Sequence, residues 1–259
     1  MKYQNLEELI GVIEVLRSEN GCVWDRAQTH ESLTPNMLEE AYEAVEAIRE
    51  NKPEHLREEL GDVLLQVLLH SQISKESHDF DIEDVAKELK DKLIHRHPHV
   101  FGNVHVDTPQ DVIDNWEELK KEEKKERKSN MDGIPLTLPA LMACQKISKR
   151  AVKVGFEWDK VETLQDCIKS EYDEFFEAVK SGNKDSMEDE MGDIFFATVN
   201  LSRWFKIDAE QALLRANKKF MQRFRMMEKL AQKPLEEYSF EEYDKLWKQA
   251  KKSIMEENN

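Results

Sequence analysis

The chain has 259 residues, and 38 basic against 54 acidic side chains (38 − 54) give a formal net charge of −16. Charged residues make up 36% of it, against about 25% in typical soluble proteins. A field of that sign repels nucleic acid and anionic lipid, so neither is expected as a partner. Eight glycines and seven prolines leave too little turn punctuation for an all-β fold, and the Glu, Lys, Leu and Ala bias favours helix.

The first segment, MKYQNLEELIGVIEVL, reads as an amphipathic helix and lacks the layout of a secretory signal. No apolar run approaches the roughly 20 residues of a membrane span. Cys22, Cys144 and Cys167 are odd in number and widely spaced, which suits reduced thiols in a cytoplasmic protein better than a disulfide framework. Residues 34–50 open on Thr34-Pro35, a cap with a first-turn proline, and carry Leu38, Ala41, Tyr42, Val45 and Ile48 at helical spacing. Asn51-Lys52-Pro53 ends that helix. Residues 54–76 form a second, whose middle from Val63 to Leu69 is apolar nearly all round and is expected to be central and buried. A third covers about 82–96.

The pattern then returns. Glu40 and Glu171 are 131 residues apart (171 − 40), and so are Glu43 and Glu174, Glu59 and Glu190, Asp62 and Asp193, and Trp116 and Trp247. Lys92 and Arg96 match Lys219 and Arg223 at a spacing of 127 (219 − 92), and Trp24-Asp25 matches Trp158-Asp159 at 134 (158 − 24). Carboxylates and tryptophans sharing one register indicate an internal duplication. The expected architecture is all-α: an N-terminal unit over 1–122, a charged and Pro/Gly-containing linker over 123–137, and a C-terminal unit over 138–259. Each unit is an antiparallel helical bundle. The third helix of the second copy falls at about 208–230.

Glu40 and Glu43 share one face of the first helix, and Glu59 and Asp62 do the same on the second. Four inward acidic groups repel one another unless a cation sits between them. Oxygen-only ligands suit Mg²⁺, with Mn²⁺ as a substitute. A lone ExxE pair is usually a solvated face; its recurrence at fixed spacing favours a metal site. No histidine follows a glutamate by three positions, which removes the di-iron ExxH arrangement. His95, His97 and His99 alternate around Pro98 with no equivalent in the second copy and are assigned to a loop or to the substrate side. P-loop, Rossmann and nucleophile-elbow motifs are missing from the sequence. Lys92 with Arg96, and Lys219 with Arg223, recur behind the acidic residues, where they would neutralise a metal-bound polyphosphate. Trp116 and Trp247 are either base-stacking surfaces or packing anchors.

Together these residues resemble the MazG family of nucleoside triphosphate pyrophosphohydrolases in its two-copy form, over almost the whole chain. The likeness is carried by Glu39-Glu40-Ala41-Tyr42-Glu43 with Glu59-Leu60-Gly61-Asp62, by Gly21-Cys22-Val23-Trp24-Asp25, by Arg96-His97-Pro98-His99-Val100-Phe101, and by Leu138-Pro139-Ala140-Leu141-Met142 leading into Gly155-Phe156-Glu157-Trp158. The resemblance implies two MazG-like bundles completed by homodimerisation. It also implies Mg²⁺-dependent hydrolysis of an NTP or dNTP to the monophosphate and pyrophosphate by water attack at the α-phosphate. By the same carry-over, Glu40, Glu43, Glu59 and Asp62, and Glu171, Glu174, Glu190 and Asp193, are metal ligands. Lys219, Arg223 and Trp247 occupy positions that in the family contact the nucleotide. Lys92, Arg96 and Trp116 are their matches in the first copy and are assigned to the substrate with them, and Glu39 is assigned from its position alone as the residue that orients water. The sequence departs from the EExxE pattern at Ser170, which stands where the first copy has Glu39. The competing readings are a non-catalytic nucleotide-sensing or partner-binding module and a dUTPase-like enzyme acting on one pyrimidine nucleotide.

Overall fold

The computed structural model describes residues 3–122 and 128–257, and among them there are helices and no strands. The chain divides into two compact units, Met1–Lys125 and Glu126–Asn259. The first holds α1 (Gln4–Arg17), α2 (Val23–Ala27), α3 (Thr34–Glu50), α4 (Pro53–Glu76), α5 (Ile82–Arg96), α6 (Pro98–Phe101) and α7 (Pro109–Glu122). The second holds α8 (Ala140–Val152), α9 (Val161–Ser181), α10 (Lys184–Trp204), α11 (Ala209–Leu230), a 3₁₀ turn (Leu235–Glu237) and α12 (Phe240–Glu257). No helix among the described residues is long and apolar enough to cross a membrane.

Local chemistry sets the helix ends. Pro35 and Pro53 occupy the first turns of α3 and α4, where a missing N–H costs nothing. The α3–α4 turn closes on Asn51 in the left-handed conformation at φ 55°, and the α9–α10 turn closes on Gly182 at φ 72°. These positions are 131 apart (182 − 51), so the duplication extends to the turn that sets each hairpin. Asp81 caps α5 in a reciprocal arrangement with Asp84, and Asp208 caps α11 through the Gln211 N–H, each satisfying donors the first turn leaves free. Gly21 is required by a close approach: a Cβ there would collide with the Val15 and Leu16 carbonyls.

In the first unit α1 packs against α4. Ile13, Leu33, Leu68, Leu69 and Ile73 form its core, with Leu9, Ile10, Leu16, Leu64, Leu65 and Ile82 around it. Arg17 pins the end of α1 to Glu76 at 2.7 Å. In the second unit α8 lies on α10 and α11. Arg203 of α10 reaches Glu157 through two 2.6 Å contacts and Ser148 of α8 at 2.6 Å. α11 and α12 form a hairpin of their own around Met226, Met227, Leu246 and Ala250.

Of the linker placed over 123–137, residues 123–127 lie outside the described residues. The part that follows is tied down: Arg150 donates to the Asn130 and Asp132 carbonyls at 2.6 and 2.8 Å. In α4 the apolar stretch Val63–Leu69 is buried or half-buried throughout, as expected for a central helix, whereas its counterpart in α10 is covered on one side only. In α10, Ile194, Ala197, Val199 and Asn200 are buried, but Phe195 and Phe196 are 56% and 41% exposed. A two-helix hairpin plus α8 covers one face of α10 and leaves the other open. Tyr172, Phe176 and Val179 of α9 are exposed as well.

Candidate metal centres in the two units

α3 presents Glu40 and Glu43 one turn apart, and α4 runs back beside it and presents Glu59. One carboxylate oxygen from each lies within 4.8 Å of the others. Glu40 is half-buried, Glu43 exposed and Glu59 buried, at 6% exposure. In the second unit α9 and α10 bring Glu171, Glu174 and Glu190 together within the same 4.8 Å. Among the described residues these are the two places where three or more His, Cys, Asp or Glu side chains converge so closely.

The electrostatics show the strain of that convergence. Burial, then the charges of Asp62, Glu43, Glu39 and Glu59, raise the Glu40 carboxyl above its ordinary range. Burial and the Glu59 and Glu39 charges do the same to Glu43. Glu190 is raised by burial and by Glu174, Asp193 and Glu171. In each unit the aspartate acts on the trio as a charge but stands outside the group converging within 4.8 Å. Thus the structure gathers three of each expected quartet directly, with Asp62 and Asp193 beside them. Glu59 adds a further observation: its Oε2 is buried with no hydrogen-bond partner, a costly state for a carboxylate oxygen. Oxygen-only donors, mutual repulsion and that orphaned atom all fit a hard divalent cation.

These shifts make a stability prediction. A carboxyl whose folded pKa is raised binds its proton more readily folded than unfolded, so its ionisation costs stability above that pKa and the cost disappears as pH falls through it. Glu43→Gln is therefore expected to melt at a higher temperature than the wild type in chelator at pH 7. The advantage shrinks on acidification through the carboxylate range. Thermal scans at several pH values check this, and an advantage that grows on acidification contradicts it.

The carboxylates also have neighbours that sequence spacing did not single out. His55 approaches Glu59 Oε1 with Nε2 at 3.0 Å. Ser170 donates its hydroxyl to Glu174 Oε1 at 2.8 Å, and the Cys167 thiol lies 3.5 Å from Glu171 Oε1. Burial and that Glu171 contact push the thiol upward. Each pair is separated by four residues on one helix, a spacing found on countless solvated faces; only burial of the acceptor, as at Glu59, would have marked one out.

The remaining candidates, Glu39 apart, fall on the later helices. Glu39 is exposed on α3, outside the trio. Lys92 is exposed on α5 and paired with Glu88 at 3.3 Å; Lys219 is exposed on α11. Arg96 places its guanidinium 5.6 Å from the centre of the Trp116 ring, and Arg223 stands over Trp247 at the same 5.6 Å. Phe220 packs on Trp247 at 5.3 Å. The tryptophans thus hold arginines, by cation–π attraction, in both copies. His97 donates from Nδ1 to the Leu93 carbonyl at 2.6 Å and its ring lies 5.6 Å from that of His99. This arrangement belongs to the end of α5.

The profile of the MazG nucleotide pyrophosphohydrolase domain matches the chain twice, over residues 28–101 and 159–227. The chain belongs to the MazG family. Each matched span encloses one carboxylate trio with its aspartate and its Lys/Arg pair, while Trp116 and Trp247 lie beyond them. The chain is 46% identical over 251 residues to a protein of Thermotoga maritima named nucleoside triphosphate pyrophosphohydrolase/pyrophosphatase MazG, covering 95% of each chain. It is 40% identical over 255 residues to the nucleoside triphosphate pyrophosphohydrolase of Escherichia coli K12, covering 95% of this chain and 97% of that one. Among solved structures, a mazG-related protein from Thermotoga maritima matches at 30% identity and a TM-score of 0.39, over 44% of this chain and 98% of that one. The MazG family is metal-dependent and acts on nucleoside triphosphates.

Proposed function

We propose that the chain hydrolyses NTPs or dNTPs to the monophosphate and pyrophosphate, with Mg²⁺ held by the carboxylates of each MazG unit and Mn²⁺ as a substitute. The observation that carries this is the pair of carboxylate trios, at one register in a duplicated MazG domain. Glu40, Glu43 and Glu59 with Asp62 would hold the cation in the first unit; Glu171, Glu174 and Glu190 with Asp193 would hold it in the second. The cation would supply Lewis acidity at the α-phosphate and lower the pKa of a water. Lys219 and Arg223, like Lys92 and Arg96, neutralise the charge that develops on the departing pyrophosphate. In the first unit alone, Glu39, exposed on α3, would accept the proton of an attacking water; the second unit, with Ser170 at that position, would rely on the cation to acidify the water.

The exposed aromatic side of the α9–α10 hairpin supports the homodimer. Phe195 and Phe196 of α10 and Phe176 and Tyr172 of α9 are all exposed, and a second hairpin of the same kind would cover such apolar side chains. Sedimentation is expected to show a dimer for the wild type and a monomer for Phe195→Glu; a monomeric wild type contradicts the assembly. The free thiols Cys22, Cys144 and Cys167 fit a reducing cytoplasm.

A panel of NTPs and dNTPs, each assayed for pyrophosphate with Mg²⁺ and with chelator, tests the function. Release from several nucleotides, abolished by chelator, is the expected result. No release from any nucleotide would favour a sensing module, and release from dUTP alone a dUTPase-like enzyme.

A further inference from the structure

Glu59 is the most buried of the six converging glutamates, and its two oxygens are treated differently. Oε1 meets His55 Nε2 at 3.0 Å, while Oε2 is buried and unpartnered. The imidazole is itself held: its Nδ1 lies 3.2 Å from Glu50 Oε2, which also receives Lys52 Nζ at 3.1 Å. Glu50 ends α3 and His55 sits in the first turn of α4, so the chain of contacts spans the turn that Asn51 closes. His55, itself tied to Glu50 at the end of α3, engages Oε1 of Glu59, which leaves the buried Oε2 as the oxygen open to a cation. The second copy has no such device. At the register of 131, Ser181 stands for Glu50 and Ser186 for His55 (181 − 50, 186 − 55). The Ser181 hydroxyl turns instead to the Ala178 carbonyl at 2.8 Å.

We infer that His55 is a positioning residue for the first unit's metal centre, holding Glu59 so that Oε2 alone is offered to the cation. The inference rests on the proposed reading of the trio as a metal site and adds a residue specific to one copy. Partners that orient a ligating group typically contribute 10–100-fold in metal affinity. Removal of the imidazole should therefore weaken the first site and leave the second untouched.

The test is Mn²⁺ titration by calorimetry on the full chain, in a Glu190→Gln/Asp193→Asn background that isolates the first centre. His55→Ala is expected to raise the Mn²⁺ Kd by about tenfold. His55→Gln, whose amide N–H can stand near the lost Nε2–H, is expected to recover most of the affinity. Thermal scans in chelator accompany each variant. Unchanged affinity in His55→Ala overturns the inference, and so does an equal loss in His55→Ala and His55→Gln, because that loss would be structural. Failure of the background protein to bind Mn²⁺ with His55 intact overturns the metal reading of the first unit itself, a result separable from both.

Discussion

Glu190→Gln combined with Asp193→Asn is expected to lower kcat by on the order of 10²–10³-fold, the loss seen when preorganised charge stabilisation is removed from a reacting centre. The matched pair Glu59→Gln with Asp62→Asn should keep most of the wild-type turnover. Both units bring three glutamates within 4.8 Å, so the difference lies in access. Glu171 and Glu190 are half-buried and Glu174 is exposed, whereas Glu59 is buried and gripped by His55. A cation that must bridge protein and substrate phosphate needs a face open to the substrate. The Ser170 hydroxyl, in the place of Glu39, donates to Glu174 and so orients a ligand where another carboxylate would only add repulsion. Both double variants, assayed at saturating Mg²⁺ and NTP, decide the matter. A nearly inactive first-unit variant beside an active second-unit variant would reverse the assignment.

Arg223→Ala should lower kcat/KM by about 10²-fold for every triphosphate tested, with little change in thermal stability, since a partly exposed arginine adds little to folding. Its guanidinium faces the Trp247 ring at 5.6 Å, which fixes a planar fork that lysine lacks, so Arg223→Lys should recover only part of the loss. Trp247→Leu should then weaken all nucleotides to a similar degree, because the ring acts through arginine. A loss confined to purine nucleotides would show instead that the ring stacks on the base. Unchanged kinetics in Arg223→Ala would make that residue a solvated surface group.

Much of this was legible in the sequence, for identifiable reasons. The first hairpin could be read because Pro35 and Pro53 suit first turns and because apolar residues recur at helical spacing on α3 and α4. The expected Thr34 cap, however, does not form: Leu33 precedes the helix and the Thr34 hydroxyl turns to the His30 carbonyl. The carboxylate trios could be read because duplication supplies an internal control that a lone ExxE lacks. Other features depend on what lies across space. The pairing of Trp116 and Trp247 with arginines joins α5 to α7 and α11 to α12, and the spacing of 131 marks the tryptophans without naming their partners. The role of His55 depends on the burial of Glu59 and on Glu50 across a turn. The exposure of Phe195 and Phe196 was hidden because an apolar helix reads the same whether its cover comes from its own chain or from another copy.

The central claim, attack of a water on the α-phosphorus at a carboxylate-held cation, is tested most directly by hydrolysis of ATP in ¹⁸O-labelled water with Mg²⁺, followed by mass spectrometry of both products. The expected result is one ¹⁸O in the nucleoside monophosphate, none in pyrophosphate, and no product when chelator replaces Mg²⁺. Label in pyrophosphate, release of orthophosphate in its place, or undiminished turnover in chelator would contradict it.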